Sequence, residues 1–438
     1  MSIDRRTLLA ASGGLAALTV AGCGSPSAAR SSALPGSTGT GGTVNLVLGN
    51  HPWQRGIEPM FAEFTQQTGI VVNVQTFAEQ QARDKILLNL QSKADSMDIF
   101  MTLPSREGVQ FLNAGYYEPL DGYMTDAGAD YNAEDFTPGS MSAMVQGGST
   151  VAIPINVEGP VLYYRKDVLG DLGIEPPTTM VELLDACQQI KDSGMDIIPI
   201  TLRGASMAVC YTFSPFFHGN GLEWTDGGKP NFDKPGAAEA IDTYATLGRD
   251  FGPPGVINYS FTESTNLFSQ EKCVFNLEST NELNPVIDPA TSKVGDRIGC
   301  APMPAGTTSS VPTVLSWGIT MSPFAANKDN AWAFIQWATS KEVQLKLTGV
   351  DIASPRTSVV EDPDYQSTLD SDMKKEWQTA LTDLQERGSA EVGPVGEQAP
   401  AMRKVIGDGV GTVMLDQASP TEAAAAIQSG LEPLLQDG

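Results

Sequence analysis

Apolar residues first gather at Val44-Asn45-Leu46-Val47-Leu48, a pattern that predicts a buried strand. Ile57, Met60, Phe61 and Phe64 then recur at helical spacing and Gly69 follows, which predicts an amphipathic helix that stops there. Val71 to Phe77 returns to a strand pattern, Gln81 to Ala94 to a helical one, and Met97 to Thr102 to a third strand. This β-α-β-α-β order predicts an α/β fold with a parallel or mixed sheet, whose ligands gather at the carboxyl ends of its strands.

Further along, Pro176-Pro177-Thr178-Thr179 marks a helix start. Thr179 can cap the helix, and Glu182, three residues on, can close a capping box ahead of Leu183, Leu184 and Ile190. Asn327 to Leu347 reads as one helix with Ala331, Trp332, Ile335, Ala338 and Leu345 on or near one face, so Trp332 and Trp337 are expected to pack. Thr421-Glu422 opens an Ala-rich terminal helix after Pro420, and no internal repeat is visible.

The first two dozen residues follow a different rule. Arg5-Arg6 precede an uncharged stretch, Leu8 to Ala21, that ends in Val20-Ala21-Gly22-Cys23. A charged segment, a short apolar run and small residues in that order read as a processed export signal. The run is broken by Ser12, Gly13, Gly14 and Thr19 and falls short of the roughly 20 residues that cross a bilayer. Val-Ala-Gly-Cys resembles a bacterial lipobox, which implies that Cys23 becomes the lipidated first residue of the mature protein, held at the outer face of the cytoplasmic membrane. Asp4-Arg5-Arg6-Thr7-Leu8-Leu9 resembles a twin-arginine motif, with Asp4 in place of the usual serine and Ala10 in place of a basic residue; that route and the general secretory path both stay open. Gly24 to Gly42 is almost wholly Ser, Gly, Thr, Pro and Ala, a composition that makes a flexible tether. The expected division is a signal over 1–22 and a tether over 23–42.

The chain has 438 residues, too many for one ordinary core once signal and tether are removed, so about two domains are expected. A formal charge of −25 argues against nucleic acid or an anionic membrane surface as partner. Cys187, Cys210, Cys273 and Cys300 show no C-x-x-C spacing, and both buried thiols and disulfides stay open. His51 and His218 are the only histidines, with no H-E-x-x-H, so neither a metal nor a cofactor is expected. No Ser-His-Asp order, G-x-S-x-G elbow or phosphate loop is evident. A carboxylate pair for glycoside hydrolysis stays open, because its members need only meet in space.

Asn156-Val157-Glu158-Gly159-Pro160-Val161-Leu162-Tyr163-Tyr164-Arg165-Lys166-Asp167-Val168-Leu169, continuing through Gly173-Ile174 and Pro176-Pro177-Thr178 to Glu182-Leu183, resembles the signature of carbohydrate-binding proteins of bacterial ABC importers. Phe268-Ser269-Gln270-Glu271-Lys272-Cys273-Val274-Phe275 resembles the family's F-x-x-G-K-x-A-M, with Glu271 and Val274 departing from its Gly and Ala. Trp317-Gly318-Ile319-Thr320, with Asn327-Lys328 and Ala331 to Ile335, resembles its return to the first lobe. Arg203-Gly204, Gly252-Pro253-Pro254-Gly255, Ser292-Lys293-Val294, Trp337 to Lys341 and Pro355 to Val359 point to the polyol-binding branch, the sorbitol and mannitol binders. The resemblance implies two α/β lobes in a Venus-flytrap arrangement, closing at a hinge around a ligand held between them. Crossings near Pro154–Glu158, near Pro312–Gly318 and after about Pro363 would assign 43–155 plus 317–363 to one lobe and 156–316 plus 364–438 to the other.

A sugar or polyol offers hydroxyls on a weakly apolar skeleton, so carboxylates, Arg and aromatic faces suit it. Glu158 is the leading polar candidate, because the family places a ligand-facing carboxylate at this hinge position, and Asn156 lies beside it. Trp317, a bulky ring before Gly318 at a crossing, is the leading aromatic. Glu79 and Arg83 match an E-x-x-x-R pattern of the polyol branch, and equally an ordinary i,i+4 ion pair. Arg203 can fork two hydroxyls. Glu278 stands where that branch usually has Asp, and Arg356 lies in Pro-Arg-Thr-Ser. Trp53 and Trp224 are further aromatic candidates, while Tyr163 and Tyr164 read as packing residues. The leading expectation is a monomeric, lipid-anchored, non-enzymatic capture protein that delivers a polyol or small sugar to ABC permease transmembrane subunits. An exported glycoside hydrolase and a sensor subunit are the alternatives.

Overall fold

The computed structural model describes residues 41–350 and 352–436. The signal over 1–22, Cys23 and the tether up to residue 40 lie outside the described residues. Two sheets organise the rest. In the first, the strands lie in the order Ile70–Phe77, Gly42–Gly49, Ile99–Thr102, Gly318–Met321, Ile153–Pro154. The first three are parallel, and Gly318–Met321 runs antiparallel to both of its neighbours. In the second the order is Ile298–Ala301, Pro160–Arg165, Cys273–Ser279, Ile198–Thr201, the last two parallel and the other pairs antiparallel.

The inner strands Ile99–Thr102, Pro160–Arg165 and Cys273–Ser279 are buried on both faces, which is why they read as largely apolar runs, whereas the edge strand Ile70–Phe77 leaves several residues exposed. Leu46 and Leu48 face Trp53, Phe64 and Trp337, while Val47 between them points to a separate cluster with Ile86, Leu90, Phe100 and Phe111. In the second sheet Val161 and Tyr163 pack with Trp377, Leu381 and Leu384, whereas Leu162 and Tyr164 join the cluster that holds Leu183 and Ile190. Each fully buried aliphatic or aromatic side chain of this kind contributes about 1.5–3 kcal/mol. Helices cover the sheets, giving two α/β lobes. The chain passes between them around Glu158 and Leu315, which pair as an isolated antiparallel bridge.

The sequence pattern located these elements with few displacements. The helix expected after Leu48 is three pieces, Pro52–Ile57, a tight turn Glu58–Met60, and Phe61–Thr68, because Pro59 has no N–H to continue the ladder. The next helix spans Glu79–Gln91. Thr179 and Glu182 form the capping box, with Glu182 N donating to Thr179 Oγ1 at 3.1 Å and Thr179 N to Glu182 Oε2 at 3.1 Å. The single helix expected over Asn327–Leu347 is instead two, Lys328–Ala338 and Lys341–Thr348. Ser340 divides them by capping the second, its Oγ accepting from Val343 N at 3.3 Å. The terminal helix spans Pro420–Gln436, with Ser419 and Glu422 reciprocally bonded at its start.

Cys187, Cys210, Cys273 and Cys300 are all buried and unpaired, which resolves the disulfide question in favour of free thiols. Among the described residues no helix is long and apolar enough to cross a membrane, and no group of three His, Cys, Asp or Glu is placed to hold a metal ion.

Candidate functional site

Five strands of the two sheets end at one place. His51 follows Gly42–Gly49, Glu79 follows Ile70–Phe77, and Arg106 follows Ile99–Thr102; from the second sheet Arg203 follows Ile198–Thr201, and Asn281 and Glu282 follow Cys273–Ser279. Their side chains line a cavity of about 430 Å³. The crossing segments add Glu158, Leu315 and Trp317, and helices Ser206–Gly219 and Ala399–Met414 add Tyr211 and Arg403. This is the crevice outside strand carboxyl ends that α/β folds use for ligands.

Glu158 ties the crossing segments to the second sheet. Its Oε1 accepts from Trp317 Nε1 at 2.8 Å, and its Oε2 accepts from Ser279 Oγ at 2.8 Å and Asn281 Nδ2 at 2.6 Å. Burial pushes its carboxyl up, but His51, with Nε2 at 3.9 Å, together with Ser279 and Arg203, outweighs this and holds it below the ordinary carboxylate range. A carboxylate has about four acceptor sites, so three are taken and about one remains. Glu158 thus holds the Trp317 indole and Asn281 in place as much as it presents a free acceptor. Gly159 is required beside it, since a Cβ there would lie 2.1 Å from the Thr313 carbonyl oxygen. The Trp317 ring is itself flanked by His51, 5.5 Å between ring centroids, and by the Arg106 guanidinium at 5.4 Å.

On the other wall, Arg203 grips Glu278 with two guanidinium nitrogens, Nε lying 2.9 Å from Oε2. The same guanidinium stacks over Tyr211, 4.2 Å from its centroid, so it offers the cavity a fixed, planar donor set. Gly204 permits this loop, because a Cβ there would lie 2.1 Å from Val256 O. Glu278 itself is fully buried behind Arg203 and is not on the cavity wall; it orients the arginine. The Tyr211 hydroxyl is buried, with Ser279 as its polar neighbour.

Glu79 and Arg83 do not pair with each other. Glu79 Oε1 accepts from Arg106 Nη1 at 2.6 Å, and Arg106 Nε also donates to Glu107 Oε2 at 2.7 Å. Arg83 lies behind, its Nε 3.8 Å from Glu107 Oε2, in a crevice under Trp317 rather than on the main cavity wall. The structure therefore corrects the expectation for Arg83.

Four more candidates belong elsewhere. Arg356 is 1% exposed and bonded to Thr339 O, Asn132 O, Tyr131 O and Asp135, clamping a turn of the first lobe, and is not on the cavity wall. Trp53 is a fully buried core ring beneath the first sheet. Trp224 stacks on Phe217 at 4.5 Å and donates to Glu391 O at 2.7 Å, inside the second lobe. Asn156 is buried beneath the wall, where its Oδ1 accepts from Trp317 N at 3.1 Å. Of the candidates, Glu158, Trp317, Glu79 and Arg203 stand on the cavity wall. Sequence reasoning missed His51, Arg106, Tyr211, Asn281, Glu282 and Arg403. All but Tyr211 and Arg403 directly follow predicted or observed strand ends, and that position was the available signal.

This architecture is a two-lobe α/β fold with a cavity between the lobes. Residues 51–345 match the model of the bacterial extracellular solute-binding protein family, and the chain belongs to that family. A mannitol-binding protein of Pseudomonas aeruginosa is 28% identical over 272 residues, covering 60% of this chain and 61% of that protein, so the match spans about three fifths of that relative's length. An erythritol/L-threitol-binding protein of Mycolicibacterium smegmatis is 25% identical over 356 residues, covering 77% of this chain and 73% of that protein. Among solved structures, a solute-binding protein of Agrobacterium radiobacter K84 in complex with ribitol superposes with a TM-score of 0.82 at 24% identity, covering 90% of this chain and 99% of that one. One from Agrobacterium vitis S4 with bound D-mannitol gives 0.78 at 24% identity, over 90% and 99% of the two chains.

Proposed function

We propose that this protein is the substrate-binding component of an ABC importer, which captures a polyol or small sugar by closing its lobes and hands it to permease transmembrane subunits. The observation that carries this reading is the composition of the interlobe wall. Carboxylates (Glu79, Glu158, Glu282) alternate with guanidiniums (Arg106, Arg203, Arg403) and rings (His51, Trp317, Tyr211) around about 430 Å³. Hydroxyls need both donors and acceptors, and a carbon skeleton needs rings. A micromolar affinity requires only about 8 kcal/mol, within reach of three or four such polar contacts.

The names of the mannitol-binding and erythritol/L-threitol-binding relatives support the polyol class. The matched relatives are binding proteins, which supports capture rather than turnover. The family description supports export, and the lipid anchor at Cys23 is our reading of the lipobox. We further take 43–155 plus 317–363 and 156–316 plus 364–438 as the two lobes, and the protein as a monomer. A thermal-shift screen of polyols, pentoses, hexoses and disaccharides tests the function, since a ligand of the native state raises apparent stability by mass action. A polyol or small sugar should raise the midpoint. No shift with any of them, or turnover of chromogenic glycosides, would reverse the reading.

A further inference from the structure

Three arginines line the cleft, and two are neutralised. Arg106 faces Glu107 and Glu79, and Arg203 faces Glu278. Arg403 differs. It is 4% exposed, yet among the described residues its guanidinium forms no ion pair, and its side chain makes one hydrogen bond, from Nη2 to Ser105 O at 2.9 Å. Nε is buried without a partner. Gly393 leaves room for the stem, since a Cβ there would lie 3.0 Å from Arg403 Cγ.

That one bond joins the lobes. Arg403 sits on helix Ala399–Met414, which packs on helices Ser206–Gly219 and Pro235–Phe251 beside the second sheet. Ser105 opens helix Pro104–Asn113, directly after the first-sheet strand Ile99–Thr102. A second bond between the same two regions, Asn113 Nδ2 to Glu397 Oε2 at 3.3 Å, lies exposed at the rim. In this arrangement of the lobes a cation is buried with one hydrogen bond to its guanidinium and an unpartnered Nε. Burial pushes the Arg403 guanidinium down to about 10, with Arg106 adding to the effect against the opposing pull of Cys210, Glu107 and Glu79. An under-satisfied buried charge disfavours the state that contains it, and acceptors supplied by a ligand remove that cost.

We infer that Arg403 couples ligand capture to lobe closure: it bridges to Ser105 across the cleft and takes ligand oxygens as its missing acceptors, so that closure is favoured only when a ligand is inside. The inference rests on the proposed capture of a polyol or small sugar. It follows the rule that a ligand shifts an equilibrium only by its differential affinity for the two states.

The test compares wild type, Arg403→Met and Arg403→Lys, using mannitol as the probe. Calorimetry reads the Kd, and small-angle scattering reads the radius of gyration with and without mannitol. Arg403→Met should weaken mannitol at least tenfold and lose most of the ligand-dependent compaction; Arg403→Lys, which keeps one cationic donor, should recover part of both. The ligand-free arm separates this inference from the functional reading. Even if mannitol binds neither protein, removing the under-satisfied buried cation predicts a smaller radius for ligand-free Arg403→Met than for wild type. Equal ligand-free radii, or equal Kd and compaction in folded variants, overturn the inference. If Arg403→Met does not fold, Arg403→Lys decides by the same readings.

Discussion

Replacing Glu282 by glutamine removes one carboxyl whose ionisation the fold opposes. Glu282 ends the turn Thr280–Glu282, lines the cleft and is 4% exposed. Burial, reinforced by Glu278, pushes its carboxyl up from 4.5 to about 7, against the weaker pull of Arg55 and Arg203. In the unfolded chain the group ionises near 4.5, so between there and about 7 the native state holds a proton that the unfolded state has released. Its contribution to stability is therefore fully present below the unfolded value and is lost as pH rises toward and through the folded one. About two and a half decades at about 1.4 kcal/mol each set a ceiling of about 3.5 kcal/mol. Glu282→Gln cannot ionise and escapes this loss. Urea unfolding of both proteins at pH 5 and pH 8.5, at equal ionic strength, should show the variant gaining about 2–3 kcal/mol on the wild type between the two conditions. A difference that does not change with pH, or that moves in favour of the wild type at pH 8.5, would refute the reasoning.

Arg356→Ala leaves Asp135 buried without its cation and should destabilise the protein by about 3–5 kcal/mol in denaturant unfolding, while calorimetry on the folded fraction shows wild-type mannitol affinity. A large loss of affinity there would return Arg356 to the site. Cys23→Ala should abolish incorporation of labelled fatty acid and release the protein from the membrane fraction; label on the variant equal to wild type would contradict anchoring at that residue.

Much of the fold was legible because the cores are patterned simply. Val44 to Leu48 is a largely apolar run of strand length, Val71 to Phe77 mixes apolar and polar positions as an edge strand does, and Thr179 with Glu182 is a local signal that tertiary contacts had no reason to override. The split at Ser340 was missed because a helix-period pattern continues through it, and only the cap geometry reveals the break. The site was half legible. Glu158, Trp317 and Arg203 stand beside glycines that sequence can flag, whereas Arg106-Glu107 looks like any charged pair on a helix until the Ile99–Thr102 strand aims it at the cleft. Arg356 misled for the opposite reason. Its Pro-Arg-Thr-Ser setting is consistent with a ligand loop, but three backbone carbonyls and Asp135 consume the guanidinium, and no local pattern encodes those partners. Tyr211 was hidden within the apolar helix Ser206–Gly219, where one aromatic hydroxyl carries no periodic signal.

We propose that a polyol or small sugar is held against the Glu158–Trp317 pair between the lobes. Titration calorimetry of mannitol, ribitol and erythritol into wild type, Glu158→Gln and Trp317→Ala tests it most directly, with circular dichroism to confirm folding. Glu158→Gln keeps the shape but sets an amide donor against the Trp317 or Asn281 donor, and should cost about 1.5–3 kcal/mol, roughly tenfold to a hundredfold in Kd. Trp317→Ala should cost at least as much, because it removes the ring that covers the ligand's carbon skeleton. Folded variants that both bind the best of these polyols with wild-type affinity would place the ligand elsewhere and contradict the account.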